Sequence, residues 1–302
     1  MENKILIKTE DLSVTFPMKR RSIFERRKYL KAVSGVSLEI RQGETFGLVG
    51  ESGCGKSTFA NATLCFQKPT GGKFFFGGTE MTSADKKTIR TTRLRMQKIF
   101  QDPAASLNPR FTVYEAVSEP LHLRHSYSES QIREMTLSMM ESVGLGERDL
   151  NRFTFEFSGG QQQRIAIARA LILKPEYIVC DEPVSALDVS VHAQILNLLM
   201  ELQEKTGVTY LFISHNLAVV RKICSRIAIM YFGRIVEYGD TEKIFANPIH
   251  PYTRELLSAI LPLNDEAKSY PLRQETPIPR EQYPVGELVK AEEGHYVAGP
   301  LH

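Results

Sequence analysis

The chain has 302 residues, of which 42% are hydrophobic and 24% charged, and its formal net charge is +3. These proportions are typical of a globular protein with a sizeable core, and so small a net charge gives no reason to expect a nucleic-acid partner. No stretch approaches the roughly 20 apolar residues that cross a bilayer, and the N-terminus MENKILIKTEDL is unlike a secretory signal. We expect a cytosolic chain without a disulfide framework or a zinc or iron–sulfur site, because the cysteines are far apart, at Cys54, Cys65, Cys180 and Cys224.

The first third of the chain is predicted to contain mainly strands. ILIKTEDLSVTF alternates apolar and polar residues, and VSLEIRQGETFGLVG alternates before becoming continuously apolar. Between them, residues 18–31 concentrate basic side chains; a solvated loop is favoured there over contact with anionic lipid or an acidic partner. A helix is predicted from Lys56, a hairpin in KFFFGGTEM and a short strand in RMQKIFQDP.

The rest of the chain alternates helices and strands after a long helical stretch. Helical patterning runs from Tyr114 to about Asn151, with an amphipathic helix that ends at Gly144. Then follow the helix after FSGG, the strand YIVCDEP, the helix VSVHAQILNLLMELQEKTG, the strand VTYLFISH, the helix NLAVVRKIC and the hairpin RIAIMYFGRIVEYGD. This alternation predicts an α/β fold with a mainly parallel sheet, interrupted by an inserted helical subdomain.

After about Ala246 the composition becomes rich in proline. We interpret this part as an appendage with one short helix and then extended chain. The final forty or so residues are expected to fold only against a partner.

The strongest motif is GLVGESGCGKST, which fits the phosphate-loop pattern G-x-x-x-x-G-K-[ST] between a predicted strand and a predicted helix. In such a loop backbone amides cradle the phosphates, Lys56 reaches the terminal phosphates, and the Ser57 hydroxyl ligates Mg²⁺. Thr58 supplies a further hydroxyl. The predicted nucleotide-binding residues are Gly50, Glu51, Ser52, Gly53, Cys54, Gly55, Lys56, Ser57 and Thr58.

Acidic and polar residues follow other predicted strands, where open α/β sheets bind ligands. In YIVCDEP, Asp181 is predicted to hold Mg²⁺ through water, and Glu182 to activate the water that attacks the terminal phosphate. Gln101 is placed to touch both the metal and that water, and His215 to donate to the γ-phosphate. Asp188 lies in the turn after the acidic pair.

FSGGQ begins a second helix suited to an anion, with Ser158 as N-cap and bare amides at Gly159 and Gly160. It has neither a lysine nor a second hydroxyl beside it. Without these groups, the helix start can complete a phosphate site formed by other residues, but it is not expected to bind a phosphate alone. We therefore expect it to cover the γ-phosphate held by another subunit, so that two subunits are joined by ATP.

FSGGQ resembles the LSGGQ signature of ATP-binding-cassette (ABC) ATPases, and the resemblance extends from Ile5 to about Asn247. IFQDP is similar to the Q-loop of that family, YIVCDEP to its Walker B segment, SALD to its D-loop, and His215 to its switch histidine. The resemblance implies ATP and Mg²⁺ as cofactors, with the signature residues Ser158 to Gln161 serving nucleotide. Phe157, in place of leucine, is expected to pack like one. Tyr29 is the candidate for stacking on adenine, with Phe24 as its rival.

The resemblance also implies an α/β P-loop NTPase fold of the ABC ATPase type, with an N-terminal antiparallel β-subdomain, an inserted α-helical subdomain and a short C-terminal extension. The predicted bounds are 1–246 for the nucleotide-binding domain, about 102–160 for the insertion and 247–302 for the extension.

NPIHPYTRELLSAILP and QDPAASLNPRFTV are similar to segments of the ATPase subunits of bacterial dipeptide/oligopeptide importers. This implies a peripheral protein on the cytoplasmic face of the inner membrane. Its partners would be two permease subunits, an identical or different second ATPase and, indirectly, a substrate-binding protein. No cysteine follows Cys224, so the iron–sulfur centre of some relatives is not expected.

Three alternatives remain open. The cargo of a similar ATPase could be a nickel chelate, glutathione or an antimicrobial peptide. A soluble ABC ATPase acting on ribosomes or DNA is disfavoured, since the chain has neither a second cassette nor long coiled coils. A non-catalytic subunit is disfavoured by the intact Lys56, Glu182 and His215.

Overall fold

The computed structural model describes residues 4–18, 28–124, 126–258 and 282–299; Phe24 and most of the basic stretch lie outside the described residues. The strands in chain order are β1 Ile5–Pro17, β2 Tyr29–Arg41, β3 Thr45–Val49, β4 Gly71–Phe76, β5 Thr79–Glu80, β6 Met96–Ile99, β7 Tyr177–Asp181, β8 Thr209–Ser214, β9 Arg226–Tyr231, β10 Arg234–Asp240, β11 Leu288–Glu292 and β12 His295–Ala298. The helices are α1 Lys56–Thr63, α2 Lys86–Arg93, α3 Pro103–Ser106, α4 Val113–His122, α5 Glu129–Ser142, α6 Gly159–Leu171, α7 Val189–Thr206, α8 Leu217–Ile223, α9 Thr241–Ala246 and α10 Pro251–Ser258, with 3-10 turns at Glu147–Asp149 and Thr154–Glu156. Within these described ranges, no helix is both long enough and apolar enough to cross a membrane.

The chain divides into two compact units, one made of residues 1–84 and 212–302 and the other of residues 85–211. The first unit carries the N-terminal antiparallel sheet, in the order β2-β1-β4-β5. The predicted alternation is present in β1, where Ile7 and Thr9, and then Leu12 and Val14, are buried. The predicted hairpin in KFFFGGTEM is β4 and β5, which pair from Phe76 to Thr79.

The first unit also contains strands in the order β11-β12-β10-β9-β3. Strands β3 and β9 are parallel, with Phe46 opposite Arg226 and Val49 opposite Ile229. All their residues are buried, as the continuous apolar runs in the sequence predict. The predicted hairpin RIAIMYFGRIVEYGD is the antiparallel pair β9 and β10.

The end of the described chain corrects the prediction that it folds only against a partner. Strands β11 and β12 form a hairpin, and β12 pairs with β10, with Tyr296 opposite Tyr238. Next to these tyrosines in the sequence, His295 and Glu237 also meet: the imidazole donates from Nε2 to Glu237 Oε1 at 2.7 Å. Both side chains are fully buried. The short, partly polar strands gave little sequence signal, but a buried ion pair and backbone pairing compensate for their small apolar area.

This buried contact makes stability dependent on pH. Burial opposes protonation of His295, but hydrogen bonds to Glu237 and Glu292 and their charges outweigh burial and raise its pKa above the ordinary 6.5. Stabilisation from the bound proton is therefore complete below pH 6.5 and is lost as the pH rises through the raised folded-state pKa.

We expect His295→Gln to lower the melting temperature more at about pH 6 than at about pH 8.5. Circular dichroism melts at both pH values would measure this, since the chain has no tryptophan. Burial lowers the pKa of the neighbouring His250, so its contribution to the pH dependence of stability has the opposite sign. A destabilisation that is the same at both pH values would contradict the assignment to His295.

The second unit combines a short parallel pair of strands with helices. Strands β6 and β7 are parallel, with Met96 opposite Tyr177, and β7 is buried from Tyr177 to Cys180. Helices α4 and α5 both pack against α6. The helical pattern predicted from Tyr114 to about Asn151 contains two α-helices in the structure: α4 ends at His122, and Ser128 begins α5 with a capping box.

Candidate nucleotide site

The predicted phosphate loop lies between β3 and α1 in the first unit, and two of its glycines are required by their surroundings. Gly50 has φ +155°, and a Cβ there would lie 2.3 Å from the Met230 carbonyl oxygen. Gly55 has φ +114°, and a Cβ there would lie 2.1 Å from the Ala32 carbonyl oxygen. Any side chain at either position would displace backbone, so these glycines set the loop's path.

Lys56 begins α1, and its ammonium lies across the loop. Its Nζ donates to the carbonyl oxygens of Gly50, at 2.7 Å, and Glu51, at 2.8 Å, and the residue is only 5% exposed. Ser57 is exposed and Thr58 half-buried in the first turn of the same helix. The loop therefore holds a cation at the N-terminus of a helix, the arrangement that favours a phosphate group.

The other members of the loop differ in exposure. Glu51, Ser52 and Gly53 are exposed, whereas Cys54 is buried. Burial raises the pKa of the Cys54 thiol, despite the opposing influence of Lys56, so this side chain stays protonated and uncharged at neutral pH.

Two further predicted site residues lie in the first unit. Tyr29 is the first residue of β2, paired with Pro17, and is 56% exposed. His215 directly follows β8 and precedes Asn216, the N-cap of α8. Both side chains are exposed, Tyr29 at the start of its strand and His215 directly after its strand.

In the second unit, the structure places Gln101 beside Glu182, one member of the predicted acidic pair. Gln101 lies in the turn after β6, and its Nε2 donates to Glu182 Oε2 at 3.3 Å. Glu182 has φ +48°, in the left-handed region that costs a non-glycine residue roughly 1–3 kcal/mol. Such strain is retained where the direction of a side chain matters.

Sequence reasoning missed a partner of Asp181. Lys98, on β6, forms an ion pair with Asp181 at 2.8 Å, and the two side chains are only 9% and 14% exposed. The only sequence feature that could have indicated this partner was the lysine in the strand that precedes Gln101. A cation at this distance balances the carboxylate within the unit.

The predicted signature lies at the start of α6. Ser158 is its N-cap, in a capping box with Gln161. Ser158, Gly159 and Gln161 are exposed, so the first amides of α6 lie at the surface of the unit. Phe157 is 5% exposed, which fits the expectation that it packs as leucine would. Its ring also contacts the Arg152 guanidinium, 4.1 Å from the ring centre, which leucine could not do in the same way.

The turn that carries Asp188 packs against this helix start. A Cβ on Gly159 would lie 3.3 Å from Leu187, and one on Gly160 would lie 2.6 Å from Val191. His192 Nε2 fixes the turn through the Leu187 carbonyl oxygen at 2.8 Å. The second unit thus presents the signature residues beside the exposed Asp188.

The loop requires glycine at two positions and carries a buried lysine at the start of a helix, within an α/β framework. These features place the chain in the class of P-loop nucleotide-binding proteins. Comparison with known proteins narrows this class. A family model described as ABC transporter matches residues 33–185, and one described as oligopeptide/dipeptide transporter, C-terminal region, matches residues 236–286.

The chain is also similar to individual ATP-binding proteins of transporters and to a solved ATP-binding cassette. The oligopeptide transport ATP-binding protein OppF of Escherichia coli (strain K12) is 50% identical over 260 residues, 85% of this chain and 78% of that protein. The dipeptide transport ATP-binding protein DppF of the same organism is 46% identical over 276 residues, 91% of this chain and 82% of that protein. A dimeric structure of the ATP-binding cassette MJ0796 in a post-hydrolysis state bound to ADP and Pi has a TM-score of 0.69 and 31% identity, covering 78% of this chain and 99% of that chain.

The chain belongs to the ABC transporter family, as an ATP-binding, ATP-hydrolysing subunit with the ABC ATPase fold. The predicted family and fold class are confirmed. ATPase subunits of this family dimerise and work with membrane permease subunits.

Proposed function

We propose that this chain powers the import of dipeptides or oligopeptides through separate permease subunits by hydrolysing ATP. The observation that carries this proposal is the match of residues 236–286 to the C-terminal region of oligopeptide/dipeptide transporters, together with 50% identity to an oligopeptide transport ATP-binding protein. Nothing comparable supports a nickel chelate, glutathione or a ribosomal or DNA partner.

In the proposed mechanism the phosphate loop binds the nucleotide. Residues Gly50 to Thr58 surround the phosphates with amides and hydroxyls, and the Lys56 ammonium, oriented by the Gly50 and Glu51 carbonyls, directs its third N–H to the terminal phosphates. Tyr29, exposed at the start of β2, stacks on adenine. His215 donates a hydrogen bond to the γ-phosphate.

Glu182 is the proposed general base. It accepts a proton from the attacking water, and Gln101 keeps the carboxylate oriented through the 3.3 Å contact between Gln101 Nε2 and Glu182 Oε2. The strained backbone at Glu182 supports this role, since it gives the side chain a direction that a relaxed residue would not take.

The residues proposed to hold Mg²⁺ are Ser57, Gln101 and Asp181, the last through water, because side-chain oxygens are the donors that this ion prefers. Over the described part of the chain, no group of three or more histidine, cysteine or acidic residues could hold a metal alone, which agrees with an ion that arrives with nucleotide phosphates. When bound, the ion neutralises charge on the β- and γ-phosphates. Asp181, which pairs with Lys98 at 2.8 Å, would hold the ion through a water molecule.

The signature residues Ser158 to Gln161 are proposed to cover the γ-phosphate bound by the second ATPase subunit, with Asp188 beside them. Their exposure, and the absence of a charged lysine or a second hydroxyl next to them in the sequence, support this arrangement. ATP then closes the dimer, and the closure is passed to the permeases by the helical subdomain, residues 102–160, and by the loop at Gln101. The protein would act at the cytoplasmic face of the inner membrane, with residues 247–302 as its transporter-specific extension.

We expect Ser158→Arg to leave ATP binding by its own subunit within about twofold, while turnover at the opposite site falls at least tenfold. The arginine would fill the exposed tip of α6 where a γ-phosphate has to approach. Binding of the fluorescent analogue mant-ATP to the separate subunit and phosphate release by the assembled transporter would measure the two effects.

The matched control is Ser128→Arg. Ser128 caps α5 in the same unit, also in a capping box, with Gln131 at its third position. Both variants lose an N-cap, worth about 1 kcal/mol, but only Ser158 lies on the proposed interface. Equal losses of turnover in the two variants would show that capping alone matters.

The transport role is tested by reconstituting the chain with its permeases and second ATPase in vesicles, with the substrate-binding protein added. Uptake of labelled dipeptides and longer peptides should require ATP on the side of this subunit. Glutathione and a nickel chelate serve as parallel cargoes, and preferred uptake of either would replace the peptide assignment. Peptide uptake at the same rate without ATP would eliminate the coupling role.

A further inference from the structure

The segment Ile249–Tyr252, here called the anchor segment, is hydrogen-bonded within the first unit. His250 and Tyr252 are fully buried, although the segment lies outside the nucleotide-binding motifs. It lies within the region matched to the oligopeptide/dipeptide transporter C-terminal model, and it begins α10 at Pro251. A buried tyrosine hydroxyl in such a position needs a hydrogen-bonding partner.

Glu237, on β10, holds one side of the anchor segment. Its two carboxylate oxygens accept the backbone amides of Ile249, at 2.9 Å, and His250, at 3.0 Å. The same carboxylate accepts from His295 of β12. These charge-assisted bonds inside the unit fix the backbone of the anchor segment to the strands.

The imidazole of His250 aligns the residue that follows Pro251. Its Nδ1 accepts the Tyr252 amide at 3.1 Å, and its Nε2 therefore carries the proton and donates to the Pro284 carbonyl oxygen at 2.8 Å. Burial lowers the pKa of His250, which keeps this neutral form at physiological pH. The tyrosine is thus positioned by its backbone as well as by its ring.

The ring of Tyr252 packs against Tyr231 of β9, with 4.5 Å between ring centres, and its hydroxyl reaches the phosphate loop. The Glu51 amide donates to the Tyr252 hydroxyl oxygen at 2.9 Å, a contact across 201 positions of sequence. The C-terminal region and the nucleotide loop are therefore joined by a direct hydrogen bond.

The Glu51 N–H belongs to the same peptide unit as the Gly50 carbonyl, which accepts from the Lys56 ammonium at 2.7 Å. A peptide unit is planar, and in the trans form its N–H and C=O point in opposite directions. Fixing the N–H on Tyr252 therefore fixes the carbonyl that receives Lys56. Gly50, with φ +155° and no Cβ, has little stiffness of its own to hold this plane.

We propose that Tyr252 is a positioning residue for nucleotide binding: its hydroxyl orients the Gly50–Glu51 peptide, and through it the Lys56 ammonium, so that the C-terminal region sets the affinity of the phosphate loop. This inference rests on the proposed role of that loop as the nucleotide site. It assigns the extension a task within its own subunit, separate from any contact with permeases.

The test is Tyr252→Phe in the full chain, which keeps the ring against Tyr231 and removes only the hydroxyl. The dissociation constant for mant-ATP and the KM for ATP should each rise about threefold to tenfold, the equivalent of one lost hydrogen bond. The kcat should change less than about twofold, because the proposed effect of the hydroxyl is on the binding loop and not on the proposed general base. Circular dichroism sets a temperature at which all variants are folded.

Tyr283→Phe is the matched control. Tyr283 also packs on Tyr231, at 5.7 Å between ring centres, but its hydroxyl bonds to Glu255 instead of the loop. Weaker nucleotide binding in Tyr252→Phe alone supports the proposal. Unchanged binding in Tyr252→Phe, or an equal loss in both variants, overturns it while the proposed function stands. A wild-type chain that binds no mant-ATP overturns both.

Discussion

Glu182→Gln is expected to bind ATP but to hydrolyse it about 10²- to 10⁴-fold more slowly, the usual contribution of a general base. An amide cannot accept the proton of the attacking water. It has nearly the same size as the carboxylate, and its carbonyl oxygen can still accept from Gln101 Nε2, so the site should otherwise be preserved. ATP would then remain bound and hold the two subunits closed.

Phosphate release measures the loss of turnover, and size-exclusion chromatography with ATP measures the closed dimer. Glu141→Gln is the control, because Glu141 is an exposed carboxylate on α5 of the same unit, outside the proposed machinery. Rapid turnover by Glu182→Gln would remove Glu182 from the role of base. Slow turnover without a trapped dimer would contradict the proposed link between hydrolysis and release.

Lys56→Ala is expected to weaken nucleotide binding about 10- to 100-fold, as for the loss of a hydrogen bond from a charged group. The terminal phosphates lose their cation, and the Gly50 and Glu51 carbonyls lose their shared donor. Titration with mant-ATP measures the effect. Lys68→Ala removes an exposed lysine from the same unit and should bind as the wild type does.

The two lysine variants also separate local from general electrostatics. An equal loss of affinity in both would mean that net charge, rather than the buried ammonium, attracts the nucleotide.

Local sequence patterns predicted most of the framework on which the candidate site lies. The continuous apolar residues of β3 and β7 indicated buried strands, and Ser158 indicated the start of α6; both depend on neighbours in sequence. The roles assigned to Glu182, Gln101, His215 and Tyr29 stay predictions, although the contact between Gln101 and Glu182 agrees with them.

The features that sequence reasoning missed depend on tertiary contacts. The Tyr252 hydroxyl meets Glu51 only because the C-terminal region folds back on β9 and β10, which no local period can indicate. In the sequence, Lys98 is one charged residue in a short strand, and only the tertiary structure shows its ion pair with Asp181. The strands β11 and β12 are short and partly exposed, so neither alternation nor apolar length distinguishes them from extended chain.

The pairing of β12 with β10 has a consequence for how the protein should be handled. Tyr238 and its neighbours on β10 use their backbone groups toward β12, from Glu237 to Gly239. A shortened chain that stops after α10 would uncover this row of donors and acceptors together with the carboxylate of Glu237. An exposed edge strand of this kind pairs with strands of other molecules. Trimming the C-terminus to aid crystallisation would therefore favour aggregates over monodisperse material.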